Sequence, residues 1–222
     1  MQIGVLGGTG PAGSAVSARL AAAGYQVLLG SRTEDKATTV VGELKARWAG
    51  HGHNGQGIDL QPAANEGAAQ ADLVVLATPW EGAVQTVTDL SDALQGKILV
   101  TMVNAMERWG NRFVPLVPYS GSMALALARA VPLSRVVGAF HHLPAGPLGD
   151  PEHVPSADIM VFSDLRSATD EVIGVVNRIP GLRGVDVGGL GSALAVEALT
   201  AALVEVNRRY KTHASLRVTG IG

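Results

Sequence analysis

Apolar positions along this chain follow two rhythms. Short, nearly continuous apolar runs at residues 3–6, 26–29, 72–77 and 97–103 alternate with longer stretches, 11–23, 33–48 and 81–94, whose apolar residues recur every three or four positions. A short run closed by turn residues predicts a buried strand, and the three-to-four spacing predicts an amphipathic helix. Beyond them, residues 136–140, 158–162 and 185–187 predict further strands, and residues 167–178 and 192–210 predict helices. Strand and helix in this alternation predict an α/β fold, a Rossmann-type doubly wound parallel sheet with a small C-terminal α/β lobe.

Two loops break the rhythm. Residues 50–57 are rich in Gly and His, and residues 144–155 are rich in Pro and Gly. The second divides the chain into a nucleotide-binding domain, 1–145, and a lobe, 146–222. On the last helix, Leu194, Leu199, Ala202, Leu203 and Val206 make an apolar face too wide for water. It is expected to bury against the other lobe, a second subunit, or both.

Composition narrows the chemistry. The absence of cysteine removes disulfides, thiolate nucleophiles and cysteine zinc sites, and suits a reducing cytoplasm. With 17 basic and 19 acidic residues there is no excess of positive charge for a nucleic-acid groove. Apolar runs such as 98–103 fall far short of the roughly 20 residues of a membrane span. Met1 runs straight into a strand pattern with no basic leader, so a cytoplasmic protein, without nucleic-acid or membrane partners, is expected. His51 and His53 share a Gly-rich loop with no carboxylate spaced to complete a site, so no metal is expected.

The strongest local signal is Gly8, Gly10 and Gly13, spelling G-x-G-x-x-G between the first strand and the first helix. Gly8 would allow the tight turn, Gly10 the close approach of a pyrophosphate, and Gly13 the packing of helix on strand. Amides at the helix start face the anion, and Thr9 adds a hydroxyl. At the end of the second strand, where NAD sites place a carboxylate, the chain has Ser31 and Arg32, with Lys36 one turn later. Two cations and a hydroxyl suit a 2′-phosphate, so NADP is expected over NAD. Thr78, Pro79 and Trp80 follow the strand at 72–77 and would face the same crevice. Trp80 has two readings there, as a wall for the nicotinamide or as a packing residue.

The run Val5-Leu6-Gly7-Gly8-Thr9-Gly10, the group Ser31, Arg32 and Lys36, the run Thr78-Pro79-Trp80-Glu81 and the stretch Phe140-His141-His142-Leu143-Pro144-Ala145 resemble the F420-dependent NADP oxidoreductase family. The run from Glu197 to Lys211 is similar to its actinobacterial branch. The resemblance covers nearly the whole chain. It implies direct hydride transfer between NADP(H) and the deazaflavin coenzyme F420, bound face to face between two lobes, and a homodimer. It also implies that Thr9, Gly10, Pro11, Ala12, Ser31, Arg32 and Lys36 hold NADP, that His141 lies near the deazaflavin, and that Thr200 lies close to the cofactor pair. Ala198 departs from a serine of some members, and residues 104–107 differ from the family's pattern, which puts F420 contacts from that loop in doubt.

The sequence shows no acid–base dyad. Hydride exchange between two redox cofactors needs little beyond proximity and a dry, oriented stack, so that absence fits. His141 has two readings, as a group that stabilises or protonates the deazaflavin and as a packed core histidine. Arg208, Arg209 and Lys211 either meet the acidic tail of F420 or stabilise a helix C-terminus. Two rival functions remain: an NADP-dependent imine or hydroxy-acid reductase, which usually carries a larger helical domain, and a noncatalytic NADPH-binding regulator.

Overall fold

The computed structural model describes residues 1–221. Its first half runs β1 (Gln2–Leu6), α1 (Pro11–Ala22), β2 (Gln26–Ser31), α2 (Glu34–Arg47), β3 (Leu60–Ala64), α3 (Asn65–Ala68), β4 (Leu73–Leu76), α4 (Trp80–Asp89), α5 (Ser91–Leu94) and β5 (Ile98–Thr101). A hairpin follows, β6 (Met106–Trp109) and β7 (Arg112–Pro115), then α6 (Met123–Ala130), β8 (Arg135–Gly138) and α7 (Ala145–Leu148). The chain continues through β9 (Ala157–Val161), α8 (Arg166–Asn177), β10 (Leu182–Asp186) and α9 (Ala193–Tyr210).

Six strands form one parallel sheet in the order β3-β2-β1-β4-β5-β8. Side chains alternate between its two faces, as the period of two requires. Ile3, Val5, Leu73, Val75, Ile98 and Val100 enter one core, with α1, α2 and α8. Leu6, Val74, Leu76 and Leu99 enter the other, with α4, α6 and the start of α9. Burial on both faces is why these strands read as unbroken apolar runs.

Beyond β8 the direction reverses. Gly138 and Phe162 exchange two main-chain hydrogen bonds, of 2.8 and 3.1 Å, in an antiparallel bridge. That bridge carries the β9–α8–β10 unit, whose two strands pair in parallel. Ile159, Val161, Val172 and Val176 share the first core, so the unit is packed on the sheet. The predicted helix 81–94 is two helices, α4 and α5, because the backbone leaves the helical region at Leu90 (φ −108°, ψ 13°).

Three polar side chains tie distant segments together. The Arg19 guanidinium on α1 is buried, donates to the carbonyls of Leu148, Pro147, Asp150 and His153, and lies 4.7 Å over the Trp48 ring. The buried Asp158 carboxylate accepts from Arg183 Nε and Nη2 (2.9 and 2.6 Å) and from the Val218 amide (2.6 Å), so the C-terminal segment lies along β9. Glu197 on α9 accepts from the amides of Met123 and Ala124, both at 2.9 Å, at the start of α6. Burial raises its carboxyl pKa, and the two amides oppose the shift. Contrary to the expectation from apolar runs alone, Leu190–Tyr210 is long and apolar enough by composition to cross a bilayer. Here it packs through Val196, Glu197, Thr200 and Ala201 against the chain's own core.

Candidate functional site

Strand order reverses between β1 and β4, and in doubly wound sheets ligands bind outside the carboxyl ends of the strands at that point. The turn after β1 and the Thr78-Pro79 turn after β4 meet there around a cavity of about 400 Å³. Gly7, Thr9 and Gly10 line one side, Ala77, Thr78 and Pro79 another, and Ser31, Arg32 and Lys36 close the far end.

The glycines divide their work differently from the motif's usual reading. The left-handed residue is Gly7 (φ +70°), not Gly8. A Cβ at Gly8 would lie 2.8 Å from Leu29 Cγ, so Gly8 is small for packing. At Gly13 a Cβ would lie 2.7 Å from the Gly7 carbonyl oxygen, so α1 can approach the turn only with glycine there. At Gly10 a Cβ would meet nothing nearer than 3.7 Å, which leaves room on the cavity side for a ligand. Pro11 opens α1, and the amides of Ala12 and Gly13 belong to the first turn, where no intrahelical carbonyl is available to them.

Two further residues furnish this cavity. Asn65, at the start of α3, accepts from the Gly7 amide through Oδ1 at 3.2 Å and lines the cavity; sequence reasoning missed it. The Thr78 hydroxyl is buried with no hydrogen-bond partner among the described residues. An unpaired buried hydroxyl is costly unless a ligand completes it. Together with the free first-turn amides and the two cations, it fits a dinucleotide phosphate better than an apolar ligand. Ser31 is buried at the end of β2, while Arg32 and Lys36 remain exposed, free to reach a 2′-phosphate.

Trp80 stands apart from this group. It is half-buried against the core cluster of α4 and α6 and does not line the cavity; its indole N–H is buried and unpaired. Like the Thr78 hydroxyl, that N–H is left without a partner among the described residues.

His141 and Thr200 lie together, at the carboxyl ends of β5 and β8. Thr200 Oγ donates to the His141 carbonyl at 3.0 Å, and Asn104 Nδ2 donates to the same oxygen at 2.9 Å. Asn104 Oδ1 is 3.3 Å from Thr200 Oγ. The His141 ring is buried, both nitrogens lack a partner among the described residues, and it stacks on Phe162. Burial, with the neighbouring His142, lowers its pKa to about 3, so the ring is neutral near pH 7. It can offer one N–H and one lone pair, but it is no reservoir of protons. His142 donates from Nε2 to the Asp158 carbonyl at 2.8 Å.

The other candidates are occupied or remote. Arg208 and Arg209 both bind Glu205, at 2.7 Å in each case. His51 pairs with Glu152 at 3.2 Å, and no cluster of metal-ligating side chains occurs among the described residues.

Comparison with known proteins decides the family. Residues 2–105 match the family described as NADP oxidoreductase coenzyme F420-dependent. The F420-dependent NADP reductase of Methanocaldococcus jannaschii is 31% identical over all of this chain and 99% of its own length. The chain belongs to the F420-dependent NADP reductase family. The reductase of that name from Methanothermobacter marburgensis is 30% identical, again over all of this chain and 99% of the relative. Among solved structures, a candidate F420-dependent NADP-reductase from Arthrobacter sp. FB24 superposes with a TM-score of 0.80 over 99% of both chains at 23% identity, a likeness of fold. The likeness to the two named reductases covers the whole chain, beyond the residues that the family model matches. The shared fold includes α9, on which Thr200 lies.

Proposed function

We propose that this chain transfers hydride directly between NADP(H) and coenzyme F420, in the crevice between the β1–β4 switch point and α9. The observation that carries the reading is the full-length likeness to two F420-dependent NADP reductases. The cavity supports its NADP half. When bound, NADPH supplies the hydride and F420 takes it up. The chain's own residues bind, orient and exclude water, which is what such a transfer demands of a protein.

In this reading the amides of Ala12 and Gly13, with Thr9 and the Thr78 hydroxyl, take the pyrophosphate side, beside Gly8, Gly10 and Pro11. Ser31, Arg32 and Lys36 select the 2′-phosphate. Thr78 and Pro79 bound the nicotinamide side, with Trp80 holding α4 behind them. His141 meets the deazaflavin as a neutral hydrogen-bonding ring and not as an imidazolium, and Thr200 acts through it. Residues 1–145 carry NADP, and the lobe from residue 146 closes the F420 side. These relatives do not favour the imine- or hydroxy-acid-reductase reading or the regulator reading.

We further propose a cytoplasmic homodimer. The lack of cysteine supports the compartment. Exposed apolar residues support the dimer: Leu194, Val206 and Tyr210 on α9, and Trp109 and Phe113 on the hairpin beside it. A monomeric mass at micromolar concentration would refute the dimer.

The test of function is a mixture of the protein, NADPH and oxidised F420 followed at the deazaflavin absorbance band. Rapid loss of the band supports the proposal. Persistence of the band with NADPH bound overturns it.

A further inference from the structure

Asn104 stands three residues beyond the end of β5. Its amide nitrogen donates to the His141 carbonyl at 2.9 Å, across 37 residues of chain. Thr200 Oγ donates to the same oxygen at 3.0 Å, across 59. A carbonyl oxygen has two lone pairs, and here both are used. Three separate segments thus converge on one atom: the end of β5, the turn after β8, and the middle of α9.

That atom matters because no other directed bond to His141 occurs among the described residues. Its ring makes no hydrogen bond with any described residue and touches Phe162 only by stacking. The preceding residue, Phe140, has φ +64°, a left-handed conformation that L-residues adopt only at a cost. Such a conformation persists when its surroundings over-determine it. Two donors on the next carbonyl do so.

We propose that Asn104 and Thr200 form a two-donor clamp on the main-chain carbonyl of His141 and act as positioning residues that set where its ring lies. The link to catalysis rests on the F420 reading above. The clamp itself does not. Glu197, one turn before Thr200 and locked onto α6, fixes the register of α9 so that the Thr200 hydroxyl reaches the carbonyl.

The test uses Asn104→Asp, which keeps the shape but replaces the donor by an acceptor, and Asn104→Leu, which removes both. Thr200→Val removes the second donor, and Thr200→Ser keeps it. In the ligand-free full chain, ¹⁵N and ¹³C resonances of the His141 ring should move in both Asn104 variants and in Thr200→Val, and return to wild-type values in Thr200→Ser. NADPH affinity, followed by its fluorescence, should stay within about twofold of wild type, since the clamp does not touch that cavity. Single-turnover hydride transfer to F420 at saturating NADPH should fall about tenfold in either Asn104 variant, as expected when a group is displaced by part of an ångström. Unchanged His141 resonances in folded Asn104→Asp and Asn104→Leu overturn the clamp. If the resonances move while the wild-type protein reduces no F420, the clamp stands and the functional reading falls. Moved resonances with undiminished transfer sever the clamp from catalysis and overturn the positioning role.

Discussion

The imidazole of His141 lies on the ring of Phe162, centroids 5.5 Å apart and planes inclined by 21°. Phe162 in turn pairs its backbone with Gly138 at the end of β8. The His141 ring is thus supported by an apolar surface and denied a charged partner, and its proton affinity falls accordingly.

That fall has a consequence for acid stability. The unfolded chain takes a proton on His141 near the ordinary pKa of 6.5, whereas the folded chain resists until about pH 3. Stability from this group is therefore full above pH 6.5 and is lost as pH falls toward 3. Between pH 7 and 4 the loss amounts to about 3 kcal/mol. Unfolding free energy measured by urea at several pH values should show that much less acid sensitivity in His141→Gln. In the same variant, any limb near pH 6.5 in the wild-type rate profile should persist, because a ring neutral at that pH cannot cause it.

Cofactor choice rests on the far end of the cavity. Arg32→Ala removes a phosphate-pairing guanidinium and should weaken NADP binding by about 10- to 100-fold while leaving NAD binding within about twofold. Lys36→Ala should do the same more weakly. Isothermal titration with both nucleotides measures the difference, and equal losses for NADP and NAD would dismiss a selective role.

Gly138 leaves no room for a side chain. A Cβ there would lie 1.9 Å from Phe162 Cζ and within 2.5 Å of both Cε atoms. Gly138→Ala must push Phe162 from beneath His141, at a cost of about 1–3 kcal/mol as overpacking. Denaturant melts should report the loss, and F420 reduction should slow more than NADPH binding weakens.

The central sheet was legible in the sequence because each of its inner strands is buried on both faces and so carries an uninterrupted apolar signal. The hairpin β6–β7 was not. Trp109 is 78% exposed and Glu107 and Arg108 also face solvent, so no apolar run marks it. One signal was available: Gly110-Asn111 between the strands, with Gly110 at φ +63°, is a two-residue hairpin turn. Of the site, the glycine turn and the Ser31, Arg32 and Lys36 group were readable because their spacing is local. Asn65, Asn104, Arg19 and Glu197 act across 58, 37, 129 and 74 residues, on partners that only the folded chain brings near. Helical spacing alone gave Thr200 no role. Its contact with His141 depends on where α9 docks.

Glu197 offers a separate test of that docking. Glu197→Gln keeps the shape but turns one amide hydrogen-bond acceptor into a donor, setting N–H against N–H at Met123 or Ala124. The expected loss is about 1–3 kcal/mol in urea unfolding. Wild-type stability in that variant would mean the carboxylate does not hold α6.

Residues 144–155 look in the sequence like a joint between two lobes, and a joint would let the crevice open and shut. A hinge needs backbone free to turn. Here the carbonyls of Pro147, Leu148, Asp150 and His153 all converge on the Arg19 guanidinium, itself pressed on Trp48. The segment is a weld. A protease probing the native chain should find the Gly-rich bonds of 50–57 long before it finds those of 147–153.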